Sequence, residues 1–433
     1  MKLKLLAASI TICVFAIIFQ GCSKSGANTN PTETTTDLKI TSLSTTQGGY
    51  NTLVEINGTG FSTVLTNVKI KFNGKDAVIT PYTSTKITAL VPLAAGNGPV
   101  TIISAGKTAT GPSFTYIPEL VVTTFAGNNL QYGLDDGVGE AAKFREAYGI
   151  AFDKDNNIYV TDKGGNSIRK ITPNGTVTTL AGNGNRGHQD GTGSQATFDD
   201  PSGITVDASG NVFVTDNNSS LIRKITPDGQ VTTFAGNLSG KYQDGVGKSA
   251  GFYRPLAITV DARDNLYVVE EDSRLRKITP GGVVTTFAGN GKFNLTDGVG
   301  VDAGIGTPVD ITIDKSGNLY VLDRQSGFVR KITSSAEVST YAKTAADPLS
   351  GRHPSNLAMD KLGNLYVSDY SIYAIRVVKP DKTISTYAGG FINIVYNGPA
   401  LKALLVFPQG IAFDADNNLY FTDRSNVRKI WVQ

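Results

Sequence analysis

Cysteine is almost missing from this chain of 433 residues, which has only Cys13 and Cys22. Everything after residue 22 therefore lacks a thiol nucleophile, a thiolate metal ligand and a disulfide, so stability has to come from packing. Histidine is equally scarce. With only His188 and His353, one chain cannot assemble a three-histidine zinc site. Charge of one sign is missing too: 40 basic residues face 37 acidic ones, and no like-charged run exceeds a few residues. That excludes the basic footprint of a nucleic-acid binder, and nucleic acid is not an expected partner. There is no G-x-S-x-G elbow, no Walker loop and no G-x-G-x-x-G between a strand and a helix. The chain is instead rich in turn formers, with 48 Gly and 17 Pro, and in short runs of Val, Ile, Thr and Tyr. Such a composition predicts an all-β protein, and the length predicts two or three units.

The first 22 residues, MKLKLLAASITICVFAIIFQGC, combine a basic start at Lys2 and Lys4, an apolar stretch from Leu5 to Phe19, and small residues before a cysteine. The apolar stretch is short for a membrane span. The ending F-Q-G-C resembles a bacterial lipobox, which implies a signal peptide over residues 1–21 and lipidation of Cys22. Phe19 and Gln20 depart from the commonest lipobox residues. Two or more acyl chains would anchor the protein stably to a membrane. Residues 23–37 are polar and rich in Thr, Asn and Ser, so 22–37 reads as the lipidated cysteine and its flexible tether.

Residues 38–117 alternate apolar and polar positions in short runs such as LVEING (53–58), NVKIKFNG (67–74), KITALVP (86–92) and GPVTIIS (98–104). This pattern predicts an Ig-like β-sandwich. The NGTGF of 57–61, the strand and turn VKIKFNG, Val91-Pro92 and the closing Phe114-Thr115-Tyr116 resemble an IPT/TIG domain. The resemblance implies a spacer or interaction module.

Beyond residue 118 the chain repeats. TFAG or TLAG at 124–127, 179–182, 233–236 and 286–289 is followed by D-G-x-G at Asp136, Asp190, Asp244 and Asp297, at intervals of 54, 54 and 53 residues. Each unit holds four short apolar runs, which predicts one propeller blade per unit. The D-x-x-x-N turn recurs at Asp153, Asp207, Asp261, Asp314, Asp360 and Asp414, so six blades are counted. These turns and the I-R-K-I-T-P runs resemble the NHL repeat. The sixth unit ends after its third strand, and LVVTTFAG at 120–127 is left over at the other end. Residues 118–433 are thus expected to form a six-bladed propeller closed by an N-terminal strand, without open edges.

An acid ends each second strand and an Arg opens each third, which reads as a loop-fixing pair rather than a site. Function is sought where the repeat fails. Connection 343–353 lacks D-G-x-G and ends in Arg352 and His353, while connection 390–407 is apolar and carries Phe391 and Tyr396. The residue two before the D-G aspartate varies and includes His188 and Tyr242, and Asp310 and Asn356 stand where other inner strands have Gly or Ala. These eight residues are the candidate ligand-binding rim, with aromatics for stacking and polar groups for hydrogen bonds. No catalytic residue, metal ligand or cofactor is expected, with Ca2+ at the D-G-x-G loops the one ion kept open.

Lipobox, polar tether, IPT/TIG domain and NHL propeller together look like surface lipoproteins of Bacteroidota, a resemblance that implies polysaccharide capture at the outer membrane. The expected function is a non-catalytic cell-surface lipoprotein binding a ligand, first a glycan, on the propeller face that carries the long inter-blade loops. The alternatives are a scaffold for a surface protein partner and, further off, a metal-dependent lyase or lactonase-like enzyme. Membrane attachment is expected through Cys22, on the cell surface or on the periplasmic face.

Overall fold

The structure is a computed structural model that describes residues 37–92, 94–343, 354–390 and 397–432. Cys22, Arg352, His353, Phe391 and Tyr396 lie outside the described residues, as do residues 1–21. The chain divides into two compact units.

The first is a two-sheet sandwich. One sheet orders Lys39–Leu43, Leu53–Thr59, Lys86–Leu90 and Val78–Tyr82, and the other orders Gln47–Gly48, Lys107–Tyr116, Gly98–Ser104, Val68–Phe72 and Lys75–Asp76. Alternation along each strand produces the core. Val54 and Ile56 point inward from one sheet, and Val68, Ile70 and Phe72 from the other. Phe72 and Phe114 meet edge to face at 5.0 Å.

The second unit is a six-bladed propeller. Blade 1 runs from its inner strand Ala147–Phe152 through Ile158–Asp162 and Ser167–Ile171 to the outer strand Thr176–Ala181. Blades 2 to 5 repeat that order with inner strands Pro201–Val206, Pro255–Val260, Pro308–Ile313 and Pro354–Met359. Blade 6 has the inner strand Pro408–Phe413 and borrows its outermost full strand from Leu120–Gly127, which pairs antiparallel with Asn426–Val432 from Leu120↔Val432 to Gly127↔Asn426. Blade 6 also meets blade 1, where the Thr422 hydroxyl donates to the Tyr148 carbonyl at 2.7 Å.

Side chains from neighbouring blades interlock between the sheets. Tyr159, Ile168 and Ala181 of blade 1 pack with Ile204, Val212 and Val214 of blade 2, over the fully buried Phe198. Burying one such phenylalanine contributes about 2–3 kcal/mol. The D-G-x-G segments do more than turn the chain. Gly137 and Val138 pair with Val177 and Thr176, adding a two-residue edge to the blade that follows, and the second Gly then turns at φ 58°. A side chain there would be strained, which is why the segment needs glycine.

Candidate functional site

The repeated charges are scaffold. Arg169, Arg223, Arg276, Arg330 and Arg428 are all fully buried. Arg223 places one nitrogen 2.8 Å from Asp190 of the preceding D-G-x-G and another 3.1 Å from Asp216, the acid ending its own second strand. Arg276 does the same with Asp244 at 2.7 Å and Glu270 at 3.1 Å. In blade 1, Arg169 lies 2.8 Å from Asp136 and 3.6 Å from Asp162. Asp162 instead accepts the Arg145 and Glu146 amides, tying the end of the second strand to the entry of the inner one. In blade 6 the D-G aspartate is Asn397, which accepts from Arg428 at 3.0 Å. Each arginine thus locks three chain segments, and its charge is consumed inside the blade.

The D-x-x-x-N turns are equally saturated. Asp153 Oδ1 accepts the amides of Asp155 and Asn157, and Oδ2 accepts from the Asn157 side chain at 2.8 Å and the Tyr159 hydroxyl at 3.1 Å. These are Asx-type hairpin turns.

The centre of the propeller differs from blade to blade. Each inner strand is the free edge of its sheet, so its unpaired N–H and C=O groups line the central channel. The third residue of the inner strand is Gly149, Gly203, Ala257, Asp310, Asn356 and Gly410 in blades 1 to 6. The glycines are required by close approach: a Cβ on Gly149 would stand 2.4 Å from the Ser202 carbonyl, and one on Gly410 would stand 2.0 Å from that of Tyr148. Those junctions are bridged by second-strand hydroxyls, Thr161 to Ser202 O at 2.8 Å and Thr422 to Tyr148 O. Blades 3 and 4 carry Val269 and Leu322 at the bridging position. At the junction of blades 4 and 5, Asp310 Oδ2 accepts the Leu357 amide at 2.7 Å instead.

The outcome is a cavity of about 290 Å³ lined by all six inner strands; among the described residues, Asp310 and Asn356 are its only polar side chains apart from three threonines. Burial pushes the Asp310 carboxyl up to about 7, against the opposing effect of hydrogen bonds from Leu357, Ile311 and Asn356. Asn356 is 7% exposed.

On the long-loop face, where inner-strand entries meet the loops after the second strands, the groups are unevenly spread. Lys163 sits over the Tyr148 ring at 4.7 Å and 3.4 Å from Asp200. Arg254 pairs with Glu271 at 2.9 Å and donates to Asn217. Blades 5 and 6 present aromatics, with Phe407 about equally far from Tyr370 and Tyr373 at 6.5 and 6.3 Å. Tyr253 is 43% exposed.

Of the rim read from sequence, Asp310 and Asn356 come together in the cavity. Neither His188 nor Tyr242 lines it. His188 is exposed on its loop, and Tyr242 is held by Arg274 and Arg276 at 4.1 and 4.9 Å from its ring. Tyr148, Lys163, Arg254, Tyr370 and Phe407 were not singled out by sequence. Their shared signal is position, directly before or within the start of an inner strand or just after the acid that ends a second strand.

Comparison with known proteins agrees with this architecture. Residues 38–116 match the IPT/TIG domain and residues 198–225 the NHL repeat, so the chain joins an IPT/TIG domain to an NHL-repeat propeller. Among curated proteins, SUPPRESSOR OF QUENCHING 1, chloroplastic, of Arabidopsis thaliana is 37% identical over 102 residues, which is 23% of this chain and 10% of that protein. The chain therefore spans about a tenth of the length of that relative. Among solved structures, an auxiliary nutrient binding protein from Bacteroides ovatus is similar with a TM-score of 0.64 at 16% identity, covering 92% of this chain and 97% of that one. A gluconolactonase from Xanthomonas campestris is similar with a TM-score of 0.51 at 13% identity, covering 73% of this chain and 95% of that one. The same fold thus serves a binding protein and an enzyme, and the fold alone does not choose between them.

Proposed function

We propose that this protein is a non-catalytic, ligand-binding lipoprotein of the bacterial cell surface and that its propeller takes a glycan on the long-loop face. In this reading residues 1–21 are removed, lipid on Cys22 and the tether to residue 37 hold the chain at the outer membrane, and 38–117 serve as a spacer for the propeller of 118–433. No helix among the described residues is long and apolar enough to cross a membrane.

The observation that carries the reading is the broken symmetry of the inner ring. Three contiguous blades, 6, 1 and 2, close tightly on glycine, whereas blades 4 and 5 put a carboxylate and an amide into the cavity. A purely structural ring has no need of that difference. Around the long-loop face, the rings of Tyr253, Tyr370 and Phe407 and the ion-paired Lys163 and Arg254 are of the kinds that stack on and hydrogen-bond to sugars. The name of the Bacteroides ovatus neighbour, a nutrient binding protein, supports binding over catalysis.

A protein partner is the second reading, favoured by apolar residues standing out of the inter-blade loops. Leu130 is 90% exposed and Phe293 66%. A glycan array probed with the full chain in detergent tests the proposal. Selective glycan signals that fade in a Phe407→Ala variant are expected, whereas an array without signal overturns the glycan reading.

A further inference from the structure

The cavity contains one carboxylate and, beside it, an amide oxygen that nothing satisfies. Asp310 takes the Leu357 amide on Oδ2 at 2.7 Å, and its carboxylate is further hydrogen-bonded by the Ile311 backbone and the Asn356 side chain. Asn356 turns its NH2 group to Asp310, and its own Oδ1 is buried without a hydrogen-bond partner among the described residues. Such an orphan acceptor is costly unless an occupant donates to it. No cation is among the main influences on Asp310, which are burial and the hydrogen bonds from Leu357, Ile311 and Asn356, and burial raises its pKa. The pair lines the cavity together with the free edges of the inner strands, whose carbonyls are further acceptors. Among the described residues the site is therefore short of donors and of one positive charge.

We infer that Asp310 and Asn356 bind the primary ammonium group of a small amine inside the propeller channel, the amine being carried by a sugar or polyol. The inference rests on the reading of the propeller as a ligand binder and names the group that its centre recognises. An ammonium brings three donors, enough for the Asp310 carboxylate, Asn356 Oδ1 and a strand carbonyl together, and it supplies the missing charge. A hydroxyl brings one donor and no charge. A metal ion needs several anionic or neutral oxygen ligands, and no group of three or more His, Cys, Asp or Glu side chains gathers among the described residues. At about 290 Å³ the cavity suits a small ligand.

The test is calorimetric titration of the full chain in detergent with glucamine and with sorbitol, its hydroxyl counterpart. At about pH 8 an aliphatic ammonium is charged and Asp310 is ionised. Glucamine is expected to bind at least about tenfold more tightly than sorbitol, and Asp310→Asn to abolish the difference. Asn356→Leu, which removes the amide beside Asp310 at similar volume, is expected to narrow it, and this keeps the test open if the first variant folds poorly. Equal binding of the two probes, no binding of glucamine, or a preference that survives Asp310→Asn overturns the inference. Array glycans bound without a glucamine preference overturn it alone. Glucamine bound in the channel of a protein silent on the array overturns the glycan reading and leaves the ammonium site standing.

Discussion

Five of the blades use a buried arginine in the same way, yet the innermost strands of the six differ in the residue they turn to the channel. Arg169, Arg223, Arg276, Arg330 and Arg428 each tie a D-G-x-G segment, or its Asn-Gly counterpart, to the third strand. The inner ring reads Gly149, Gly203, Ala257, Asp310, Asn356 and Gly410. What repeats in every blade answers a need that every blade has, namely a connection crossing from the outer edge to the centre. What appears once answers something the ring as a whole does not need. Charge that looks functional in sequence is thereby assigned to the scaffold, and the quieter departures at 310 and 356 mark the candidate site.

That contrast can be broken by mutation. Deleting residues 120–127 removes the strand that completes blade 6 and exposes the edge of Asn426–Val432. The expected result is a melting temperature lower by more than about 10 °C, or an aggregated product, because the ring loses its closure. Arg223→Ala strands Asp216 and Asp190 around an empty site and is expected to cost about 3–5 kcal/mol in denaturant unfolding. Arg223→Met, which fills the volume but leaves the same acids unpaired, should be no better tolerated.

Smaller effects are expected in the inner ring, and they should depend on the blade. Gly149→Ala drives a Cβ against the Ser202 carbonyl and is expected to destabilise by about 1–3 kcal/mol. Ala257→Gly has no such contact to relieve and should cost only about 0.5–1 kcal/mol through backbone entropy. Thermal melts of the pair would dissolve the comparison if the two changes proved equal. Asp310→Asn should show a pH dependence of definite sign. A carboxyl raised to about 7 in the folded state, above about 3.9 unfolded, holds its proton more firmly when folded. Wild-type stability is therefore unaffected by this group below about pH 4, falls as pH rises through the window to about 7, and stays at its reduced level above. The variant should match wild type at about pH 4 and melt a few degrees higher at about pH 8 in the absence of ligand.

Much of the fold was legible in the sequence because its period, strand lengths and turn residues agree. Counting strands even located the closing partner, since a sixth unit with three strands and a spare LVVTTFAG leave one solution. The arginine pairing was legible only in part. Sequence places each Arg beside the acid a few positions earlier, whereas the shorter ion pair of Arg169 is to Asp136, 33 residues away across an inter-blade connection. Asp310 and Asn356 were visible as departures from glycine, but not as neighbours, because two positions in consecutive blades become adjacent only when the ring curves. Tyr242 was legible as an exposed aromatic, but the stacking of Arg274 on its ring was not. Tyr148 escaped notice because the residue before the inner-strand glycine varies freely, and only the structure shows it beside Lys163 at the entry.

The most direct test of the account erases the asymmetry. Asp310→Gly and Asn356→Gly together give an inner ring of five glycines and Ala257, with the arginine scaffold untouched. A glycan array run in parallel on the wild type and this double variant is predicted to show selective signals for the first and their loss in the second, with both proteins folded. An identical pattern of signals from the two would contradict the claim that the broken symmetry of the inner ring is the binding site.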